Sequence, residues 1–232
     1  MLPKIEHPVF KIHSYGLDKE LSFRPFLVKE EKILLIAAEE GNQTSLIEAM
    51  VKIINNCCLD EVDIGSLPMF DLEHLFLRLR EKSVDNTVSI VLTFGEKEIK
   101  KIINLADVVV KIPEGHTKVV ELSEMPGLKI KMKYPSVSMV DKIKDLEKPS
   151  EFLDMYMFEC VDYIYDEDTV YDDFTQEELN EFISNLTSSS HNKIKEFFET
   201  SPTLYYEFEI DKPDGEKEKI IFKSVTDFFI FV

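Results

Sequence analysis

The stretch Phe23 to Leu35, FRPFLVKEEKILL, places the tightest constraint on how this chain folds. Pro25 has no backbone N–H for a sheet ladder and holds its predecessor extended, so a strand entering this stretch ends there. After Phe26 the pattern turns helical. Lys29, Glu30, Glu31 and Lys32 make one charged turn, and Ile33 to Ala38 is then apolar without a break. A run with no polar face predicts a helix end covered on most sides, behind a solvated first turn.

The flanking chain fits a hairpin leading into helices. His7 to Ile12 and Glu20 to Phe23 read as strands around a loop at Ser14 to Asp18, and the first helix spans about Phe26 to Glu39. Gly41-Asn42 breaks it, and Thr44 is the predicted N-cap of a second helix with Leu46, Ile47, Met50, Val51 and Ile54 on one face. A third helix runs from Phe70 to Lys82. Asp71 suits its N-terminus and Arg78, Arg80 and Lys82 suit its C-terminus. His74 reads as a surface or satisfied histidine.

From Thr87 the period changes. Val88 to Phe94, Val108 to Ile112, Val119 to Leu122 and Leu128 to Tyr134 are short β-type runs that predict a small antiparallel sheet. Glu98 to Leu105 fits either strand or helix, and Lys142 to Lys148 reads as a short exposed helix or linker. Leu153, Met157, Cys160, Val161 and Ile164 then recur at helical spacing. Thr175-Gln-Glu-Glu178 is a capping box opening a helix with Leu179, Phe182, Ile183 and Leu186 on one face. Ser188 to Ser190 reads as a flexible break before a helix over His191 to Thr200. Leu204 to Ile210 and Lys219 to Phe222 pair around Pro213-Asp-Gly215. The phenylalanine-rich end, Val225 to Val232, calls for burial or a partner.

The fold class expected is therefore α+β: an N-terminal β-hairpin plus three helices, a central small antiparallel sheet, and C-terminal acidic helices with a terminal hairpin. The segments fall at 1–85, 86–148 and 149–232, with a single continuous domain left open.

Charge narrows the partners. The chain carries −18, and residues 149–192 hold 12 acidic side chains with no Lys or Arg. No basic stripe is present to neutralise nucleic-acid phosphates, and an anionic membrane is disfavoured for the same reason. A basic protein partner fits. Three cysteines, Cys57, Cys58 and Cys160, make no disulfide framework and suit a reducing compartment. No signal run or membrane span stands out, so a soluble, intracellular protein is expected.

No motif commits the chain to chemistry. Seven glycines form no phosphate-cradling pattern, and the histidines His7, His13, His74, His116 and His191 are scattered outside any nucleophile motif. Asp166-x-Asp168 opens a window ending at Glu177 with the spacing of a calcium loop. Val170 offers it no side-chain oxygen, however, and Tyr171 stands where the sharp turn needs glycine. The expectation is a non-enzymatic protein with no metal and no cofactor.

The opening LPKIEHPVF, the FRPFLVKEEKILL turn, the IINNC of Ile53 to Cys57 and the LPMFDLEHLFLRLREKSV of Leu67 to Val84 resemble the baseplate hub family of T-even-type tailed bacteriophages. Together they cover most of residues 3–84. KMKYPS (Lys131 to Ser136), EFFETSPTL (Glu196 to Leu204) and the closing DFF (Asp227 to Phe229) are similar in style and placement. That family comprises a hub subunit and a hub assembly factor, and no catalytic residues transfer from it.

The resemblance implies a role in assembling the baseplate hub in the host cytoplasm. A chaperone-like factor would bind hub or tape-measure proteins. The alternatives are a permanent hub subunit in the virion tail and, more remotely, a calcium-binding or enzymatic module. Self-association is left open. The aromatic residues interleaved with the acidic window, and those of the C-terminus, are the candidate contacts: Phe152, Tyr156, Phe158, Tyr163, Tyr165, Phe174, Phe228, Phe229 and Phe231.

Overall fold

A computed structural model of the chain describes residues 5–94, 97–123, 125, 127–139, 149–212 and 216–229. Its elements bear out an α+β fold with small antiparallel sheets. The contacts gather into two compact units, Met1–Lys111 with Thr203–Val232, and Ile112–Pro202. This grouping cuts across the three consecutive segments expected from the sequence, because the last hairpin belongs with the N-terminal elements.

The first unit begins with β1 (Phe10–Ser14) and β2 (Lys19–Phe23), paired so that Ile12 faces Leu21. Ile12, Leu21 and Phe23 are buried, as period-two alternation requires. Three helices follow: α1 (Val28–Glu40), α2 (Gln43–Cys57) and α3 (Met69–Ser83). Asn42, rather than Thr44, caps α2. Its side-chain oxygen accepts from the Ser45 N–H at 2.8 Å, which satisfies a free donor of the first turn.

Two expectations for α1 fail. Leu34 and Ala37 are buried, but Leu35 and Ile36 are each 58% exposed, so the apolar run is covered along one stripe only. The charged turn is not wholly solvated either. Glu30 is fully buried, bonded to Arg24 Nη2 at 2.9 Å and to the Leu27 N–H at 3.0 Å. Burial disfavours its carboxylate, yet the Arg24 guanidinium and that N–H outweigh burial and lower its pKa.

His74, on α3, is also buried, and among the described residues its Nδ1 has no hydrogen-bond partner. It is a core residue against Tyr15, ring centroids 5.0 Å apart, and burial lowers its pKa to about 4.

The β-type runs of the middle do not share one sheet. β3 (Thr87–Phe94) and β4 (Lys97–Asn104) form a hairpin of their own, which settles the ambiguous segment as strand. β5 (Val109–Lys111) pairs instead with β10 (Thr203–Asp211), and β11 (Lys217–Phe222) closes that sheet in the order β11-β10-β5. The short α7 (Thr226–Phe229) follows, with Val225 and Phe228 fully buried.

The second unit holds a four-stranded antiparallel sheet: β6 (Val119–Glu121), β7 (Lys129–Met132), β8 (Val161–Tyr165) and β9 (Val170–Tyr171), in that order. Val120, Ile130 and Ile164 lie side by side across it, all buried. Its helices are α4 (Pro149–Cys160), α5 (Gln176–Ser184) and α6 (Ser188–Glu199).

The predicted helical stripe through Ile164 stops at Cys160. Val161 and Ile164 lie on β8, where pairing with β7 takes over. Ser188 to Ser190 is the first turn of α6, not a break, because Thr187 caps it. Leu179, Ile194 and Phe197 join the sheet residues in one buried cluster. The segment Lys142 to Lys148 and the turn Pro213 to Gly215 lie outside the described residues. No described helix is long and apolar enough to cross a membrane.

Candidate partner-binding groove

The acidic window builds a recess at the end of the second unit's sheet. β8 and β9 make a tight hairpin, held because the Asp166 carboxylate accepts from the N–H groups of Asp168 at 2.9 Å and Thr169 at 2.8 Å. Those two bonds keep its pKa below the ordinary carboxylate range. In this hairpin Tyr171 pairs with Ile164, so both face the same side. The chain then turns into α5 through the predicted capping box. Thr175 N–H donates to Glu178 at 2.7 Å and the Glu178 N–H donates to Thr175 Oγ1 at 3.2 Å.

Sheet end and helix face each other across a groove of about 340 Å³. Leu128, Ile164, Leu179 and Phe182 make its apolar wall, with Met125, Tyr171 and Phe174 beside them. Asp166, Asp173 and Glu178 are the charged residues lining it, and all three are acidic. None of the three forms an ion pair among the described residues. Met125 and Tyr171 are 57% and 47% exposed, so apolar surface here meets water.

The nine candidate contacts fare differently. Phe174 lines the groove, and Phe158 on α4 packs edge-on against it, centroids 6.1 Å apart. Tyr163 and Tyr165 lie half-buried along β8, 5.6 Å apart. Tyr156 packs on Phe198 at 5.1 Å, and burial raises its pKa to about 12. Phe152 and Phe229 belong to α4 and α7, but their side chains lie outside the described set, as does all of Phe231. Phe228 is a fully buried core residue, its ring 5.0 Å from Phe222. It offers no surface.

Sequence reasoning missed Tyr171, Asp173, Glu178 and Phe182 as neighbours. The available signal was the alternation of acids with Tyr171 and Phe174 just ahead of a capping box. A second recess, about 540 Å³, lies between β6 and α6. Its Lys193 is engaged, donating to the Glu121 carbonyl at 2.9 Å. Nearby, His116 bonds Thr200 Oγ1 at 2.9 Å and Tyr134 OH at 2.8 Å, and burial and Lys118 lower its pKa. Both its ring nitrogens are occupied. Among the described residues no three His, Cys, Asp or Glu side chains are grouped to hold a metal ion.

A family model described as T4 bacteriophage base plate protein matches residues 7–230. No curated protein and no solved structure matches the chain.

Proposed function

Because this chain belongs to the T4 bacteriophage base plate protein family, over nearly its whole length, we propose that it acts in assembling the baseplate hub, as a chaperone-like binder of hub or tape-measure proteins. The single observation that favours binding is the acid-lined apolar groove beside half-buried aromatics in a window of −12. An acidic surface keeps such a factor soluble and steers a basic partner to it. Its apolar floor supplies the affinity. The role is one of holding, with no bond made or broken.

Co-expression with each hub and tape-measure protein, followed by pull-down, tests this. Retention of one of them is expected, and failure of all of them would sink the proposal. A permanent hub subunit is the second reading. Mass spectrometry of purified virions separates the two, since an assembly factor is absent from finished particles and a subunit is present at fixed stoichiometry.

A further inference from the structure

We propose that the groove of the second unit recognises a single apolar side chain carried on a cationic segment of a partner protein. This rests on the reading that the protein binds a partner, and it states what that partner must present. Over a floor of buried Leu128, Ile164 and Leu179, the partly exposed Met125, Tyr171, Phe174 and Phe182 offer an apolar side chain a place out of water. At about 340 Å³ the groove is at the small end for a ligand pocket, which suits one side chain better than a cofactor.

The charge pattern selects what flanks that side chain. Asp166, Asp173 and Glu178 line the groove, and none of them is held in an ion pair among the described residues; Lys129, on the strand beside β8, is paired with Glu121 at 3.2 Å instead. Each has carboxylate capacity left after its local bonds, since an ionised carboxyl accepts about four hydrogen bonds. Lysine or arginine on either side of the anchor would meet these oxygens in charge-assisted bonds. An acidic or neutral segment would leave the carboxylates facing an apolar surface, desolvated and unpaired. The groove thus discriminates through its rim and gains affinity through its floor.

The test uses the full chain and three labelled peptides, read by fluorescence anisotropy. One has phenylalanine flanked by lysine and arginine, the second has serine at its centre, and the third has glutamates for the cations. Only the first should bind, and more weakly at high salt. A combined Asp166→Asn, Asp173→Asn, Glu178→Gln variant removes the charge while keeping the acceptor oxygens of the β8–β9 turn and the capping box. It should weaken binding by about tenfold or more.

Equal binding by the variant, equal binding of the serine peptide, or no binding of the first peptide would each overturn the assignment. So would self-association lost in the variant, which would give the groove to a second copy of the chain. If the peptides fail while a hub or tape-measure protein is still retained in the pull-down, the assignment falls and the proposed function stands. The reverse pattern separates them the other way.

Discussion

At the scale of single residues, two buried acids on α3 hold the first unit together. Asp71 accepts from Ser14 Oγ at 2.5 Å and from the N–H groups of Tyr15 and Gly16 at 2.9 and 3.1 Å, which pins the β1–β2 loop to the helix. The approach is so close that a Cβ on Gly16 would lie 2.6 Å from Pro68 Cδ and 3.0 Å from Asp71 Oδ2. The proline ring cannot rotate aside, so Gly16→Ala should cost about 1–3 kcal/mol, seen as a lower urea midpoint. An unchanged midpoint would mean that the loop is not held there.

Glu73 accepts from Ser224 Oγ at 2.5 Å and from the Val225 N–H at 3.0 Å, and burial raises its pKa from 4.5 to about 7. Between those values the folded chain binds more protons than the unfolded one, so this residue's contribution to stability falls as pH rises from 4.5 to 7. The loss amounts to about 3 kcal/mol at most. Glu73→Gln keeps an acceptor for both donors and removes the titration. Its melting temperature should equal or exceed the parent's at pH above 7 and show less dependence on pH below it. A parallel pH profile would show that Glu73 does not titrate in this window.

At the scale of elements, periodicity was a good guide wherever one local signal governed. The Thr175–Glu178 capping box needs only four residues of chain, and it stands as read. In β8, local periodicity does not decide the element. Val161 and Ile164 continue a helical stripe, yet Val161-Asp-Tyr-Ile-Tyr165 also alternates, and pairing with β7 from elsewhere in the chain decides between the two. The groove was illegible for the same reason. Leu128, Ile164 and Phe182 adjoin only after the sheet and α5 have formed.

The run on α1 teaches a different lesson. An unbroken apolar sequence does not say how many neighbours a helix has, and single exposed apolar side chains are ordinary on protein surfaces. Leu34→Ala should therefore cost about 2–5 kcal/mol. The double change Leu35→Lys, Ile36→Lys should stay within about 0.5 kcal/mol of the parent. Denaturant titration of both variants checks the contrast, and a large loss from the lysine pair would mean that this face is covered in solution.

At the scale of the whole molecule, the two units differ in how they are written along the chain. The second unit, Ile112–Pro202, is one continuous segment. Its buried cluster, from Val120 to Phe197, is drawn entirely from within those bounds, and so are β6 to β9 and α4 to α6. The first unit is split. β5 at Val109–Lys111 finds its partner in β10 at Thr203–Asp211, and Glu73 on α3 bonds Ser224 and Val225 near the other end. A segment whose core closes on itself needs nothing from outside to exclude water, whereas one cut from its sheet partner leaves a ladder and a buried carboxylate unsatisfied. Residues 112–202 expressed alone should therefore unfold cooperatively and keep the groove, as shown by a sigmoidal melt followed by circular dichroism. Residues 1–111 alone should not fold cooperatively, and adding 203–232 in trans or through a short linker should restore the transition. If 112–202 melts without a transition while 1–111 folds by itself, the division into units is wrong.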